Sequence, residues 1–209
     1  MHTSNGIYGV LYSMPSVPGV HPLSNLYTVN SKFYGMANVL KDNGYSTSFF
    51  CTHYEEFDNM GFFLRNNGFE NFFSAKEYTS DLSEGAFGVS DETQYDFAFN
   101  KLNEFSKSNN PFFATILTIS THEPPVLPKK TSFRPKSKIL FEQIYEYADW
   151  ALGNFMKRCS QEKWYANTIF IFVADHGCNM PSAYEIPLSY HHSPFIIYSP
   201  TLIKEPKPI

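Results

Sequence analysis

Residues 169–177 have the sequence IFIFVADHG, in which six apolar residues are followed at once by Asp175, His176 and Gly177. Six consecutive apolar residues are typical of a strand that is buried on both faces of a parallel sheet. Such a strand would deliver the carboxylate of Asp175 and the imidazole of His176 side by side at its carboxyl end. That pair suits a divalent cation such as Zn²⁺ or Mn²⁺, although the tripeptide alone could equally form a solvated turn.

Two further junctions carry histidines beside predicted strands. The apolar run 112–119 is followed closely by His122, and His191 and His192 come shortly before the apolar run 195–198. A single loop histidine is more often structural, but three such junctions are hard to explain by core packing. Because ligands of parallel sheets bind beyond the carboxyl ends of the strands, we expect these residues to face one cleft, with only one of the two adjacent histidines pointing into it.

The order of apolar runs and amphipathic segments predicts an α/β fold: a mostly parallel sheet with helices on both faces. The length of 209 residues fits one domain. Predicted helices cover 5–14, 31–41 (capped by Ser31), 57–66, 91–106 (capped by Ser90) and 139–159, and predicted strands cover 45–51, 112–119, 169–174 and 195–198.

Composition excludes several classes of protein. The net charge is −4 and the one Lys-rich stretch, 129–138, lies in a Pro-containing loop, so binding to nucleic acid has no electrostatic support. The three cysteines, Cys51, Cys159 and Cys178, are odd in number and form no CxxC pair, so they indicate neither a disulfide framework nor a zinc-thiolate spacing. No run approaches the roughly 18 apolar residues of a membrane span. The 18% aromatic content favours a Phe-rich core over an aromatic binding surface.

Three segments together resemble the sulfatase-like family of the alkaline phosphatase superfamily, which includes the lipoteichoic acid synthases. WYANTIFIFVADHG at 164–177 is similar to that family's metal-ligand strand, PFF through HEP at 111–124 to its substrate-histidine strand, and HHSPFIIY at 191–198 to its later His-x-Pro strand. The resemblance implies an alkaline phosphatase-like fold and a metal-dependent enzyme that attacks phosphate or sulfate esters.

The same resemblance matches TSNGIYGVL, residues 3–11, to the start of the family's nucleophile helix. It implies that Thr3 is the nucleophile and that Thr3, Asp175 and His176 hold the metal. A helix N-terminus offers unpaired N–H groups and a positive dipole, which would stabilise both an alkoxide and a phosphoryl oxygen. The expected cofactor is a divalent metal, Mn or Zn, with Mg or Ca as further options.

Substrate-binding residues are also implied by the resemblance. His122, His191 and His192 are candidates for binding the substrate anion, and His122 is also a candidate for assisting the leaving group. His53 and Asn59 lie in a segment, 52–60, that matches a loop lining the family's cleft, with a structural role as the alternative for both. Met60 stands where the lipoteichoic acid synthases have Arg, and this difference argues against glycerol phosphate as the substrate.

The implied function is a phosphoryl transferase of phosphoglycerol type, or a phosphoester hydrolase, that acts through Thr3 on extracytoplasmic glycan or lipid esters. One alternative is a sulfatase, although none of the three cysteines begins a Cys-x-Pro-x-Arg motif; another is an inactive domain that binds anionic glycans. Residues 1–209 are expected to be a single catalytic domain truncated at both ends, soluble as given. The full-length protein is expected to carry an upstream metal carboxylate and to be membrane-anchored on the extracytoplasmic face of a bacterial membrane.

Overall fold

A computed structural model of the protein describes residues 3–15, 20–79, 83–85, 88–177 and 188–205. Its α-helices are Thr3–Tyr12 (α1), Leu26–Val29 (α2), Met36–Asp42 (α3), Met60–Asn66 (α4), Asp91–Phe105 (α5), Leu140–Cys159 (α6) and Leu188–His191 (α7). Its strands are Ser46–Phe50 (β1), Asn71–Phe73 (β2), Ser83–Gly85 (β3), Gly88–Val89 (β4), Phe112–Ile116 (β5), Phe170–Val173 (β6) and Phe195–Tyr198 (β7). Cys178, at one of the cysteine positions considered above, lies outside the described residues.

A parallel sheet of three strands, in the order β2-β1-β5, forms the centre of the fold. Alternate residues of β5 face two different clusters: Phe113 packs with α1, α3 and α4 on one face, whereas Phe112 and Ala114 pack with α5 and α6 on the other. This two-residue alternation is the expected geometry of a strand covered on both faces. The predicted α/β architecture with helices on both faces is therefore confirmed.

The remaining long strands form a separate antiparallel pair, β6 with β7. Phe170 and Phe172 are half-buried, but Ile171 and Val173 are exposed, as is every residue of β7. The expectation that residues 169–174 are buried on both faces is wrong for the described chain. A continuous apolar run shows that a strand is compatible with burial, but actual burial requires neighbouring elements on each face.

The predicted helix bounds needed three corrections. The helix expected from Ser31 begins at Met36, because the N–H of Gly35 donates to the side chain of Asn38 (3.0 Å) and the preceding residues are not helical. The helix predicted over 57–66 is divided by left-handed backbone at Asp58 and Asn59 (φ 52° and 57°), so α4 starts at Met60. The first predicted helix starts two residues earlier, at Thr3.

The two longest helices agree with the sequence pattern. α6 buries Ile144, Tyr147, Ala151 and Phe155 as the predicted apolar stripe, whereas Leu140 at its first turn is exposed. α5 begins after Ser90, at the predicted cap position. The Ser90 hydroxyl lies 3.2 Å from the Thr93 hydroxyl and does not cap a backbone N–H.

Candidate active site

The first turn of α1 lies directly against the end of β6. A Cβ atom placed on Gly6 would lie 2.3 Å from the carbonyl oxygen of Asp175 and 2.6 Å from its Cα. Only glycine allows two backbones to approach this closely. Thr3 is three residues before Gly6 and therefore on the same side of the helix, one turn nearer its N-terminus. The sequence thus places a threonine at the helix start beside the strand that ends in Asp175.

Asp175 and His176 form a close pair at the carboxyl end of β6. The Nδ1 atom of His176 donates to the carbonyl oxygen of Gly177 (2.9 Å), and its Nε2 atom lies 3.5 Å from Oδ2 of Asp175. The other carboxylate oxygen accepts the backbone N–H of His176 at 3.0 Å. Since Nδ1 is used in the hydrogen bond to Gly177, Nε2 is the ring nitrogen on the carboxylate side and the one open to a metal ion.

This donor set fits part of a divalent-metal site. A carboxylate oxygen and an imidazole nitrogen 3.5 Å apart can bind one cation together, with the ring orientation fixed by the Nδ1 hydrogen bond. The Ser4 hydroxyl and the Asn5 carboxamide oxygen, next to Thr3, are buried and have no hydrogen-bond partner among the residues that the structure describes. Within the described ranges, however, no three side chains of His, Cys, Asp or Glu gather as a metal cluster.

The segment with the paired histidines packs against the same turn. Gly177 N–H donates to the carbonyl of Tyr190 (2.9 Å), and a Cβ on Gly177 would lie 2.0 Å from the carbonyl of Ser189. The rings of His176 and Tyr190 are 5.0 Å apart. His191 and His192 are both exposed and follow directly, so this segment borders the Asp175–His176 pair.

His53 and His122 lie at the edge of the parallel sheet, after the adjacent strands β1 and β5. His53 is buried, and desolvation lowers its pKa from the ordinary histidine value. Its Nδ1 donates to the carbonyl of Tyr54 (3.1 Å). His122 is exposed, and its Nδ1 donates to the carbonyl of Glu123 (2.6 Å). The described contacts thus join α1, the Asp175–His176 pair and the 189–192 segment, while the convergence of His53 and His122 on this pair stays a prediction.

The remaining candidates of the 52–60 loop have structural contacts. The Asn59 side chain donates to the carbonyl of Leu23 (3.1 Å), which holds the 20–25 segment against the loop. Asp58, which the sequence did not single out, lies 3.2 Å from the Ser24 hydroxyl and 3.5 Å from Nδ1 of His21. Met60 is fully buried in the core with α1 and α3. An arginine at position 60, as expected for the lipoteichoic acid synthases, would therefore replace a core side chain with a charged one.

Solved structures define the class of protein. A protein of the alkaline phosphatase superfamily from Vibrio parahaemolyticus matches with a TM-score of 0.84 and 30% identity, covering 95% of this chain and 49% of the other. The lipoteichoic acid synthase LtaP from Listeria monocytogenes matches with a TM-score of 0.82 and 22% identity, covering 98% and 54%. The fold is that of the alkaline phosphatase superfamily.

The family follows from the sequence comparison. The sulfatase family model matches residues 1–208, and the chain belongs to the sulfatase family. Phosphoglycerol transferase I of Escherichia fergusonii is 24% identical over 188 residues, which are 83% of this chain and 25% of that protein. The chain thus spans about a quarter of the curated relatives it matches and about half of the similar solved structures. In the described residues, no helix is both long enough and apolar enough to cross a membrane.

Proposed function

We propose that this chain belongs to the catalytic domain of a phosphoryl transferase, acting on esters of the phosphoglycerol type with Thr3 as the nucleophile. The observation that carries the proposal is the contact between Gly6 and Asp175, since it brings the start of α1 against a carboxylate–imidazole pair. The similarity to a phosphoglycerol transferase and to a lipoteichoic acid synthase supports a phosphate ester as the substrate. A phosphorylated glycan or lipid at the extracytoplasmic face of a bacterial membrane fits these relatives.

The reaction begins with the Thr3 hydroxyl. Its oxygen loses the hydroxyl proton to solvent water and forms a bond to phosphorus, while the bond from phosphorus to the leaving alkoxide breaks, which yields phosphothreonine. Backbone N–H groups of the first turn of α1 donate to a phosphoryl oxygen. Thr3, Asp175 and His176 would hold a divalent cation, Mn²⁺ or Zn²⁺, which when bound lowers the pKa of a hydroxyl ligand and offsets phosphoryl charge.

The loop after β5, which carries His122, acts on the leaving group. His122 gives a proton to the departing alkoxide, in keeping with its exposed ring and with an Nδ1 hydrogen bond that fixes the ring orientation. Water or a glycan hydroxyl then attacks the phosphothreonine, and the Thr3 oxygen leaves. One of His191 and His192, which border the Asp175–His176 pair, binds the charged phosphoryl oxygens of the substrate.

Thr3→Ala tests the nucleophile. Turnover of p-nitrophenyl phosphate should fall by a factor on the order of 10³ or more, with unchanged melting behaviour, because the covalent pathway is lost. Mass spectrometry of acid-quenched wild type should show one phosphoryl adduct on the peptide that contains Thr3. The matched control is Thr201→Ala, an exposed threonine whose hydroxyl donates to the carbonyl of Ala166. Full activity of the Thr3 variant would show that the covalent mechanism is wrong.

The metal ligands have a readout that does not depend on activity. Asp175→Asn should weaken binding of Mn²⁺ and Zn²⁺ in calorimetric titrations far more than His53→Ala does, because a neutral amide is a poor ligand for a dication. Equal losses would remove Asp175 from the proposed site. Turnover of p-nitrophenyl sulfate in preference to the phosphate would favour a sulfatase. Wild type that binds neither Mn²⁺ nor Zn²⁺ in the titrations and turns over neither ester in their presence would favour a binding domain.

A further inference from the structure

Asp91 is a buried carboxylate without an ion-pair partner in the described part of the chain. It is the first residue of α5 and only 2% exposed. Its Oδ1 atom accepts two backbone N–H groups, those of Ile119 and Ser120, both at 2.9 Å. In return, the Ser120 hydroxyl accepts the backbone N–H of Asp91 at 3.0 Å. The carboxylate therefore fixes the chain directly after β5.

These hydrogen bonds continue to His122. The N–H of His122 donates to the carbonyl of Ile119 at 2.9 Å. Ile119 is therefore bound on both sides: its N–H donates to Asp91, and its carbonyl accepts the N–H of His122. One turn further along α5, the fully buried Gln94 donates to the carbonyl of Leu117 (2.9 Å). The start of α5 thus holds the 117–120 segment at three backbone groups, while the His122 side chain is exposed.

The residues just before Asp91 contact the loop after β1, which carries His53. Gly88 has a φ of +110°, and a Cβ on it would lie 2.0 Å from the carbonyl oxygen of Thr52, which is next to His53. Directly after Asp91, the N–H of Glu92 donates to the hydroxyl of Tyr147 in α6 (3.2 Å). Residues 88–91 therefore touch both loops that follow the adjacent strands β1 and β5, and α6 supports them.

We propose that Asp91 is a positioning residue for His122, and that residues 88–91 act as a brace that sets the spacing between the loops of His53 and His122. The inference rests on the proposed role of His122 in leaving-group protonation. Without the carboxylate, the N–H groups of Ile119 and Ser120 would lose their shared acceptor, and the turn that carries His122 would lose its anchor.

The energetics agree with a positioning role. Burying a carboxylate is unfavourable unless donors replace its water, and burial raises the pKa of Asp91 while the donors from Ile119 and Ser120 oppose that rise. A negative charge at a helix start is favourable in itself, but it does not require burial. Burial places the carboxylate where it can reach the backbone 28 and 29 residues further along the chain.

The kinetic test compares two esters that differ in their need for an acid. Cleavage of an alkyl phosphate depends on proton transfer to the leaving group, whereas 2,4-dinitrophenyl phosphate releases a stable anion. Asp91→Ala should lower kcat for the alkyl ester by about 10- to 100-fold and change kcat for the aryl ester by less than about 3-fold. Asp91→Asn should recover part of the loss, because its carboxamide oxygen can still accept the two N–H groups.

Two controls separate positioning from general weakening of the fold. Asp96→Asn changes an exposed carboxylate of the same helix, and Ala98→Gly weakens α5 at a buried residue about two turns beyond Asp91. Both should leave the ratio between the two esters unchanged. In a double-mutant cycle, Asp91→Ala with His122→Ala should be no slower than His122→Ala alone. An equal loss on both esters, or an additive loss in the cycle, would overturn the proposal.

A structural readout keeps the proposal separate from the proposed function. If wild type cleaves neither ester, the proposed function fails, and amide hydrogen exchange then decides separately whether Asp91 positions the loop. The amides of Ile119, Ser120 and His122 should exchange at least about 10-fold faster in Asp91→Ala than in Ala98→Gly. Equal exchange in the two variants would show that Asp91 does not hold this turn.

Discussion

The strands β1 and β6 differ in burial in a way that their apolar content does not explain. β1, with the sequence STSFF, is the less apolar of the two, yet it has a parallel neighbour on each side and its last four residues are fully buried. In the described part of the chain β6, with the sequence FIFV, pairs with β7 alone, and Ile171 remains 44% exposed. Apolar composition therefore predicts that a strand forms, while burial depends on the elements that surround it.

The candidate active site lies where these two regions meet. α1 packs Ile7 and Leu11 into the core beside β1, and its Gly6 touches the backbone of Asp175 after β6. The position of Thr3 relative to Asp175 thus depends on one helix that contacts a fully packed region on one side and a partly exposed one on the other. Changes in either region should have different consequences for stability and for the site.

The largest expected effect on stability belongs to the packed region. Phe49 is fully buried in β1 and stacks on Phe72 with ring centroids 5.4 Å apart. Phe49→Ala should lower the free energy of unfolding by about 3–5 kcal/mol, because it removes a large apolar side chain and leaves a cavity. Urea denaturation followed by circular dichroism measures this loss.

The matched variant in the other region is Ile197→Ala in β7, where the side chain is 38% exposed. Its expected loss is about 1 kcal/mol or less, since part of the side chain is already in water. Similar losses for the two variants would mean that β7 is covered in solution, and the contrast between the two regions would then disappear.

The next effect concerns the contact between the regions. Gly6→Ala would place a methyl group 2.3 Å from the Asp175 carbonyl, so α1 and the end of β6 must separate. We expect a loss of about 1–3 kcal/mol in the free energy of unfolding, together with weaker Mn²⁺ binding. Both are measured on the same protein, by urea denaturation and by calorimetric titration.

Gly153→Ala is the matched control for that variant. Gly153 lies in α6, and no described residue comes within 4 Å of its Cβ position, so alanine should stabilise the helix by up to about 1 kcal/mol. A Gly6→Ala variant that is as stable as wild type and binds the metal equally well would contradict the close approach of α1 to Asp175.

Residue patterns predicted much of the fold, because they report on local geometry. The stripe of α6, the strand predicted over 112–119 and found over Phe112–Ile116, and the adjacency of Asp175 and His176 near a strand end all follow from patterns along the chain. Asp91 did not emerge as functional, because the groups it holds are distant in sequence and a carboxylate at a helix start has an ordinary explanation. Asp58 was missed for a related reason, since its left-handed backbone depends on tertiary contacts with the 20–25 segment.

The family resemblance supplied what the patterns could not. At the start of a predicted helix, Thr3 has no feature that separates a nucleophile from a cap, and the contact between Gly6 and Asp175 is visible only in three dimensions. His122 was predicted to follow a strand end, and it does so after β5, whereas His53, which only the resemblance implied, follows the adjacent parallel strand β1. Their chemical roles depend on the substrate, so they remain predictions.

The smallest expected effect is a pH dependence that originates in the packed region. Burial of His53 after β1 lowers its pKa, so the folded protein keeps this ring neutral while the unfolded chain protonates it below about pH 6.5. The unfolded state then binds more protons than the folded state, and the free energy of unfolding falls as the pH decreases through that value. His53→Gln removes the titrating group, so the difference in stability between wild type and variant should move in favour of the variant from pH 7.5 to pH 5. Urea denaturation of both proteins at several pH values measures that difference, and the values at pH 7.5 serve as the reference for lost packing against Phe57, whose ring centroid is 4.9 Å away. A difference that stays constant over this range would show that His53 is solvated in the folded protein, and that the packed region does not extend to the loop after β1.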